Sequence, residues 1–293
     1  MMKRLFLKPS LKLNTINMFS SQVSKSANSS SIDKVHHTLS GRKRFYKNVD
    51  IEEIKSENKW KVLLDGRELK SPARNSMHFN TKHLAWLVAS EWDAQINQNK
   101  GIQPATMPFM TLTSTAIDQI LPDSTFTKNT IMSYLRTDTM LFFTDEEDRI
   151  LLNKQNEHFQ PLLNWYKDKW GIELSIAKGI VSRVNHSDDV MQRIEDVVKK
   201  LDHYELACLQ SATMECKSIL IAFAILFQQV DLPNARMTSR LEEEFQIEIW
   251  GAVEGGHDMD RLNNAVSLGS VTTYLHLYWG HNNINTRIEE LLE

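Results

Sequence analysis

The sequence predicts an α+β protein in which a small antiparallel, β-rich N-terminal domain precedes a mostly α-helical C-terminal one. Three observations predict it. Trp60, Val62 and Leu64 recur at every second position, the period of a half-buried strand. Asp65-Gly66 follows at once, the pair favoured in a tight hairpin turn because both central residues take positive φ. From Thr81 onward the apolar spacing changes to three and four, as a helix burying one face requires. The 293 residues suit two modest domains behind a tail: 1–40 as a leader, 41–122 β-rich with helices, and 123–293 helical.

Residues 1–32 carry Lys3, Arg4, Lys8, Lys12 and Lys25 with no acidic side chain, and serines crowd their second half. Basic, serine-rich and acid-poor is the composition of a mitochondrial transit peptide. Arg4, Lys8 and Lys12 recur every four residues, as on one face of a short helix that Pro9 interrupts. No unbroken apolar stretch follows the charges, which argues against a secretory signal. Phe45, Tyr46, Val49 and Ile51 then lead to a polar break at 56–59, before the alternating segment and its hairpin. Leu69, a break at Pro72 and the segment 77–79 complete the small sheet.

Leu84, Leu87, Val88, Glu91 and Trp92 share one helical face, with Asn80 or Thr81 as cap. Pro108 opens the next helix, in the first turn where proline is tolerated, with Phe109, Leu112, Thr113, Ala116 and Ile117 inward. Residues 121–124 read as the linker. Beyond them, Val190, Ile194, Val197, Val198 and Leu201 form one apolar stripe, and Met237, Leu241, Phe245 and Ile249 another. Gly251 stands where a glycine stops a helix. Asp258 is placed to cap a last helix carrying Leu262, Val266 and later Tyr274 to Leu277.

Composition excludes several classes of function. A formal charge of −3 leaves no bulk positive field to grip nucleic acid or an anionic membrane. The longest apolar run, 219–227, is about half of the ~20 residues that a bilayer requires, and so reads as a buried core helix. Cys208 and Cys216 lie about 12 Å apart along a helix, beyond disulfide reach, and read as small buried hydrophobes.

A search for catalytic chemistry finds no convergent set. Segment 66–71 ends like a phosphate loop but lacks the glycine before Lys70 that lets backbone N–H groups close on phosphate. Glu254, His257, Asp258 and Asp260 are the best metal candidates, but they lack ligand spacing on one helix face. A helix stop, a glycine turn and a cap account for them, so neither metal nor cofactor is expected. Glu91 and Asp93 point about 200° apart on a helix and cannot face one substrate; they read as solvated or capping acids beside Trp92. Asp138 reads as the partner of Arg136 or as a loop anchor. The run 241–250 differs, because Glu244 and Glu248 line up beside its core stripe while Ile247 and Trp250 project from other faces. Such a mixture suits a docking surface, although for Glu242 and Glu243 a solvated acidic face is the stronger reading.

Five strings, WKVLLDGRELKSP (60–72), AWLVASEWDAQ (85–95), MPFMTLTSTAID (107–118), RTDTMLFFT (136–144) and SRLEEEFQIEIWG (239–251), resemble in order the signature blocks of one family. Gln155, Phe159, Pro161, Leu162, Leu163 and Trp165 fit its pattern as well. It is the F1-ATPase assembly factor 2 family, the alpha-subunit assembly chaperones of mitochondria. The likeness runs from about residue 42 to the C-terminus. It implies a non-enzymatic, monomeric protein of the mitochondrial matrix that binds unassembled alpha subunit and shields its contact surfaces until beta subunits arrive. It implies a partner contact on the acidic helix at Glu243, Glu244, Glu248, Ile247 and Trp250. The rival reading is a matrix enzyme using the 254–260 cluster.

Overall fold

The structure is a computed structural model that describes residues 41–96, 101–145, 147–179, 182–280 and 283–292. The leader expected over 1–40 lies outside the described residues.

Strands β1 (Val49–Ile54), β2 (Lys59–Leu64) and β3 (Arg67–Glu68) form an antiparallel sheet in chain order, with Val49 opposite Leu64 and Leu64 opposite Arg67. Asp65 and Gly66 make the β2–β3 turn with φ of 48° and 76°, the double left-handed geometry expected of that pair. Single bridges from Trp60 to Phe79 and from Lys70 to Ser76 extend the sheet. Helix α1 (Lys82–Asp93) covers one face. It is capped by Thr81, whose hydroxyl accepts from the Leu84 amide at 3.2 Å. Helix α2 (Pro108–Thr115) starts on its proline and passes into a π turn, Ala116–Ile120.

The helical remainder comprises α3 (Thr125–Ser133), α4 (Arg149–Trp170), α5 (Asp188–Lys200), α6 (His203–Cys216), α7 (Ile219–Leu226), α8 (Leu232–Ser239), α9 (Leu241–Trp250), α10 (His257–Trp279) and α11 (Ile284–Leu292). A parallel pair, β4 (Phe142–Phe143) and β5 (Ala177–Lys178), joins the loops around α4. No described helix is long and apolar enough to cross a membrane. At the centre lies α7, all eight of whose residues are buried. Each large aliphatic or aromatic side chain there contributes roughly 1.5–3 kcal/mol by leaving water. Its first turn is held by Ser218, whose hydroxyl accepts from Ile221 N, and by Asp138, which accepts from Leu220 N at 3.0 Å. Asp138 is thus a loop anchor; it is fully buried, while Arg136 lies exposed. Burial pushes the Asp138 carboxyl up to about 6 against the opposing pull of Ser218 and the backbone amides.

One hydrophobic cluster runs from Tyr46 to Leu291. Its two ends are tied by long-range polar contacts. The Thr81 hydroxyl donates to Leu277 O at 2.8 Å, and Thr113 meets the Tyr274 hydroxyl at 3.0 Å. Glu205, buried on α6, accepts from Trp279 Nε1 and from Arg287 Nε, each at 2.8 Å, and closes a capping box with Asp202. Arg287 thereby fastens the terminal α11.

Three expected placements are corrected. Met237 and Ile249 do not continue the Leu241–Phe245 stripe: they are 46% and 54% exposed. For Met237 the reason is a break at Arg240 (φ −117°, ψ 15°), which separates α8 from α9 and changes the register; Ile249 lies in the last turn of α9, rotated about 80° from Leu241 round the same helix. The helix carrying Leu262, Val266 and Tyr274, expected to be the last, is followed by α11; on it Leu262 and Val266 are exposed and Tyr274 is buried. Asp258 sits inside the first turn of α10, and Gly256 occupies the cap position. There the aspartate favours the helix through the dipole rather than through a side-chain cap.

Candidate functional site

Helix α9 begins where Arg240 breaks from α8, and its first turn holds Glu242, Glu243 and Glu244, the charge that a helix N-terminus favours. It ends at Gly251, whose φ of 84° allows the chain to leave while Gly251 N still donates to Ile247 O. Leu241 and Phe245 are the buried residues of the helix, which packs on α4 and α8.

The acids do not point freely into solvent. Glu242 accepts from Gln155 Nε2 at 3.0 Å, and Gln155, fully buried on α4, also holds the β4 backbone through Phe142 O and Thr144 N. Although Glu242 lies at the surface as a whole, burial of its carboxylate end pushes its pKa up, with Gln155 opposing. Glu243 is bonded to Arg240. Glu244 was expected on the exposed flank, but its side chain is 19% exposed and lies between Arg261 of α10 and Arg240. The Arg261 guanidinium, bonded through Nε at 2.9 Å, holds the Glu244 carboxyl below its ordinary range, with Arg240 assisting. Glu248 is exposed and pairs with Lys154 of α4 at 3.0 Å.

The five residues singled out in the sequence therefore separate into two groups. Glu243 and Glu244 converge on Arg240 and lock α9 to α10. Glu248, half-buried Ile247 and Trp250 lie toward the C-terminal end, where Trp250 is 75% exposed and Ile249 and Val253 are exposed beside it in sequence. Large apolar side chains so placed mark contact surfaces more often than scattered ones do.

Sequence reasoning missed a second apolar feature. A groove of about 1180 Å³ opens between α2, α6 and α10, lined by Phe109, Leu112, Leu262 and Val266 with Ser211 and Glu215. The signal was present in the three-and-four spacing of Met259, Leu262 and Val266, which reads equally well as an inward face. At one wall Glu91 is buried, and its two oxygens accept from Phe109 N at 2.8 Å and Met110 N at 2.7 Å, capping α2 from α1. Burial pushes its carboxyl up to about 7 despite those two bonds. Asp93 points elsewhere, to Arg44 at 3.0 Å.

The chemical candidates are dispersed. His257 Nδ1 accepts from Val253 N at 3.0 Å, within the turn that opens α10. Among the described residues no group of three or more His, Cys, Asp or Glu side chains is placed to hold a metal ion. Cys208 and Cys216 are buried free thiols.

Residues 43–167 match a family described as ATP12 chaperone protein. The atp12 protein of Schizosaccharomyces pombe, named as mitochondrial, is 29% identical over 208 residues, 68% of this chain and 71% of that protein. This chain is similar to the ATP12 chaperone family. The mitochondrial ATP12 protein of Saccharomyces cerevisiae is 26% identical over 258 residues, covering 74% of this chain and 79% of its own. Among solved structures, Atp12 from Paracoccus denitrificans superposes with a TM-score of 0.72 at 26% identity, over 81% of this chain and 98% of that one. A protein from Agrobacterium tumefaciens gives 0.73 at 25% identity, over 80% and 85%. The ATP12 match begins at Lys43, just beyond the 1–40 segment read as a leader, and ends within α4.

Proposed function

We propose that this protein is an assembly chaperone of mitochondrial F1-ATPase that binds the unassembled alpha subunit in the matrix, as a monomer and without catalysing a reaction. Similarity to the ATP12 chaperone family supports the assembly role, and the mitochondrial names of the yeast relatives support the compartment. An orphan subunit of an alternating ring exposes large apolar faces that promote aggregation. A binder that covers one of them and is displaced by the incoming neighbour needs no nucleotide cycle.

The observation that carries the reading is the exposed C-terminal end of α9. Trp250, Ile247 and Glu248 touch the partner, while Glu243 and Glu244 hold the helix in place through Arg240 and Arg261. The pair between Glu248 and Lys154 is solvent-exposed, so exchanging Lys154 for a cation of the partner costs little.

The test is protection against aggregation. Denatured alpha subunit diluted into buffer scatters light, and an equimolar amount of this protein suppresses the scattering, whereas beta subunit is not protected. Glu248→Lys combined with Trp250→Ala abolishes protection and leaves the melting transition unchanged. Wild-type protection by that variant would move the contact elsewhere, and equal protection of beta subunit would remove the alpha specificity. Saturable ATP binding that Lys70→Ala abolishes would overturn the non-enzymatic reading. A chain lacking residues 1–40 should fold but fail to enter mitochondria.

A further inference from the structure

Segment 66–71, whose resemblance to a phosphate loop fails for want of a glycine, lies in a groove of about 710 Å³ that the chaperone reading leaves unused. Three separate segments bring cations to it: Arg42 on the N-terminal arm, Arg67 and Lys70 on and just after β3, and Arg74 on the loop before Met77. All four are exposed, and none has an ion-pair partner among the described residues. By contrast, Arg44 before the sheet pairs with Asp93 at 3.0 Å, and Lys61 on β2 pairs with Glu52 at 2.8 Å.

Two acids line the same groove, but both are turned to other work. The Asp65 carboxylate accepts from the Lys47 and Asn48 amides, which hold its pKa low. Glu68 faces His78, with 3.7 Å between Oε1 and Nε2. A third acid, Asp118, is spent on rigidity. It accepts from the Ser71 hydroxyl at 2.6 Å, Ala73 N at 2.9 Å and Asn75 Nδ2 at 2.8 Å, and so fixes the loop that carries Arg74. The arm bearing Arg42 is fixed too. Ile102 N donates to Arg42 O at 2.7 Å, and a Cβ on Gly101 would fall 2.6 Å from that oxygen, so only glycine admits the approach.

The walls between these cations are apolar. Phe45 is 64% exposed at the rim, and buried Leu64, Leu69 and Met110 form the floor. A solvated basic face accounts for single lysines on a helix. It does not account for four unpaired cations from three rigidly held segments around an exposed aromatic ring. Fixed cations around an apolar floor suit a chain carrying carboxylates and a large apolar side chain, because the ring and floor give contact area while the charges set orientation and encounter rate. Nucleic acid fits less well, since this protein is net negative and the groove is short.

We infer that the groove between the N-terminal arm, β3 and the 72–76 loop is a docking site for an acidic peptide segment of a partner protein that carries an aromatic or aliphatic anchor. The site is independent of α9, so the two surfaces fail or succeed separately.

The test uses the full chain and a fluorescein-labelled eight-residue synthetic peptide of six acidic residues with one Phe and one Leu, read by anisotropy. Saturable binding is expected. It should weaken at least about tenfold as NaCl rises from about 50 to about 500 mM, because charge attraction is screened. Arg67→Glu with Lys70→Glu, and separately Arg42→Glu with Arg74→Glu, should each weaken it about 100-fold or more. Lys178→Glu, at the exposed position of β5, should not. Two variants from different segments guard against one that misfolds, and the melting curve of each shows which has folded. Absence of binding to the wild type overturns the inference, as does equal binding by the charge-reversed proteins. Equal affinity for a peptide with Gly in place of Phe and Leu, or displacement by inorganic phosphate at about ten times the peptide concentration, reduces the groove to a simple anion patch and also overturns it.

Discussion

Replacing Glu205 with alanine tests how the C-terminal helix is held. The carboxylate is 1% exposed and receives four donors: Asp202 N at 2.9 Å, Trp279 Nε1 at 2.8 Å, and the Nε and Nη2 of Arg287, each at 2.8 Å. It raises the Arg287 pKa further above its already high ordinary value. Removing one partner of a buried ion pair costs about 3–5 kcal/mol, because the remaining charge is left without compensation. Arg287 keeps 27% of its side chain in water, which places its share at the low end of that range. Loss of half the capping box adds about 1 kcal/mol, and the stranded Trp279 N–H about 1 kcal/mol more. The total is about 5 kcal/mol, a large fraction of an ordinary domain's stability. Urea unfolding followed by circular dichroism measures it, and hydrogen exchange should show α11 losing protection first. Glu205→Gln, which can still accept from Trp279, should cost about half as much. A cost below about 1 kcal/mol for Glu205→Ala would mean that the network does not hold α11, and the reasoning from buried charge would be wrong here.

Three further outcomes follow from the geometry. Phe245→Ala, which empties a buried aromatic position on α9, should destabilise by about 3–5 kcal/mol in chemical unfolding. Glu244→Lys, which sets a third cation beside Arg240 and Arg261, should lower the melting temperature measurably, whereas Glu248→Lys should not. Glu91 titrates near 7 when folded against 4.5 ordinarily, so the folded protein binds the extra proton between those values. Its contribution is therefore greatest below pH 4.5 and falls as pH rises to about 7. At about 1.4 kcal/mol per pH unit, the stability of wild type relative to Glu91→Gln should drop by up to about 3 kcal/mol across that window and stay flat above it.

What the sequence made legible were features governed by neighbouring residues. The Asp65-Gly66 turn, the Thr81 cap, the Pro108 start and the Gly251 stop each depend on a few consecutive positions, and each stands where the local rule places it. The α5 stripe and the buried run of α7 were legible because burial imposes its period directly. The errors arise where distant residues decide. Met237 extends a stripe on paper, but the break at Arg240 puts it on another helix, and Ile249 falls in the last turn of α9, beyond the buried face. Glu244 reads as a flanking acid until Arg261, seventeen positions away, folds back onto it. Of the candidate site, the sequence located α9 and its exposed Trp250, but not which acids were already engaged. The cationic groove was invisible as a whole, since no window contains Arg42, Arg67 and Arg74 together.

The contact from the Thr81 hydroxyl to Leu277 O carries a kinetic consequence. It joins the cap of the first helix to the last turns of α10, 196 positions later. Thr113 and Tyr274 repeat the closure across 161. Folding in which early segments must await late ones is slow, because loop closure precedes the contacts that reward it. A chain emerging N-terminus first thus holds its sheet and α1 with one flank unpaired until nearly everything has been delivered. During that interval the protein is itself open to aggregation.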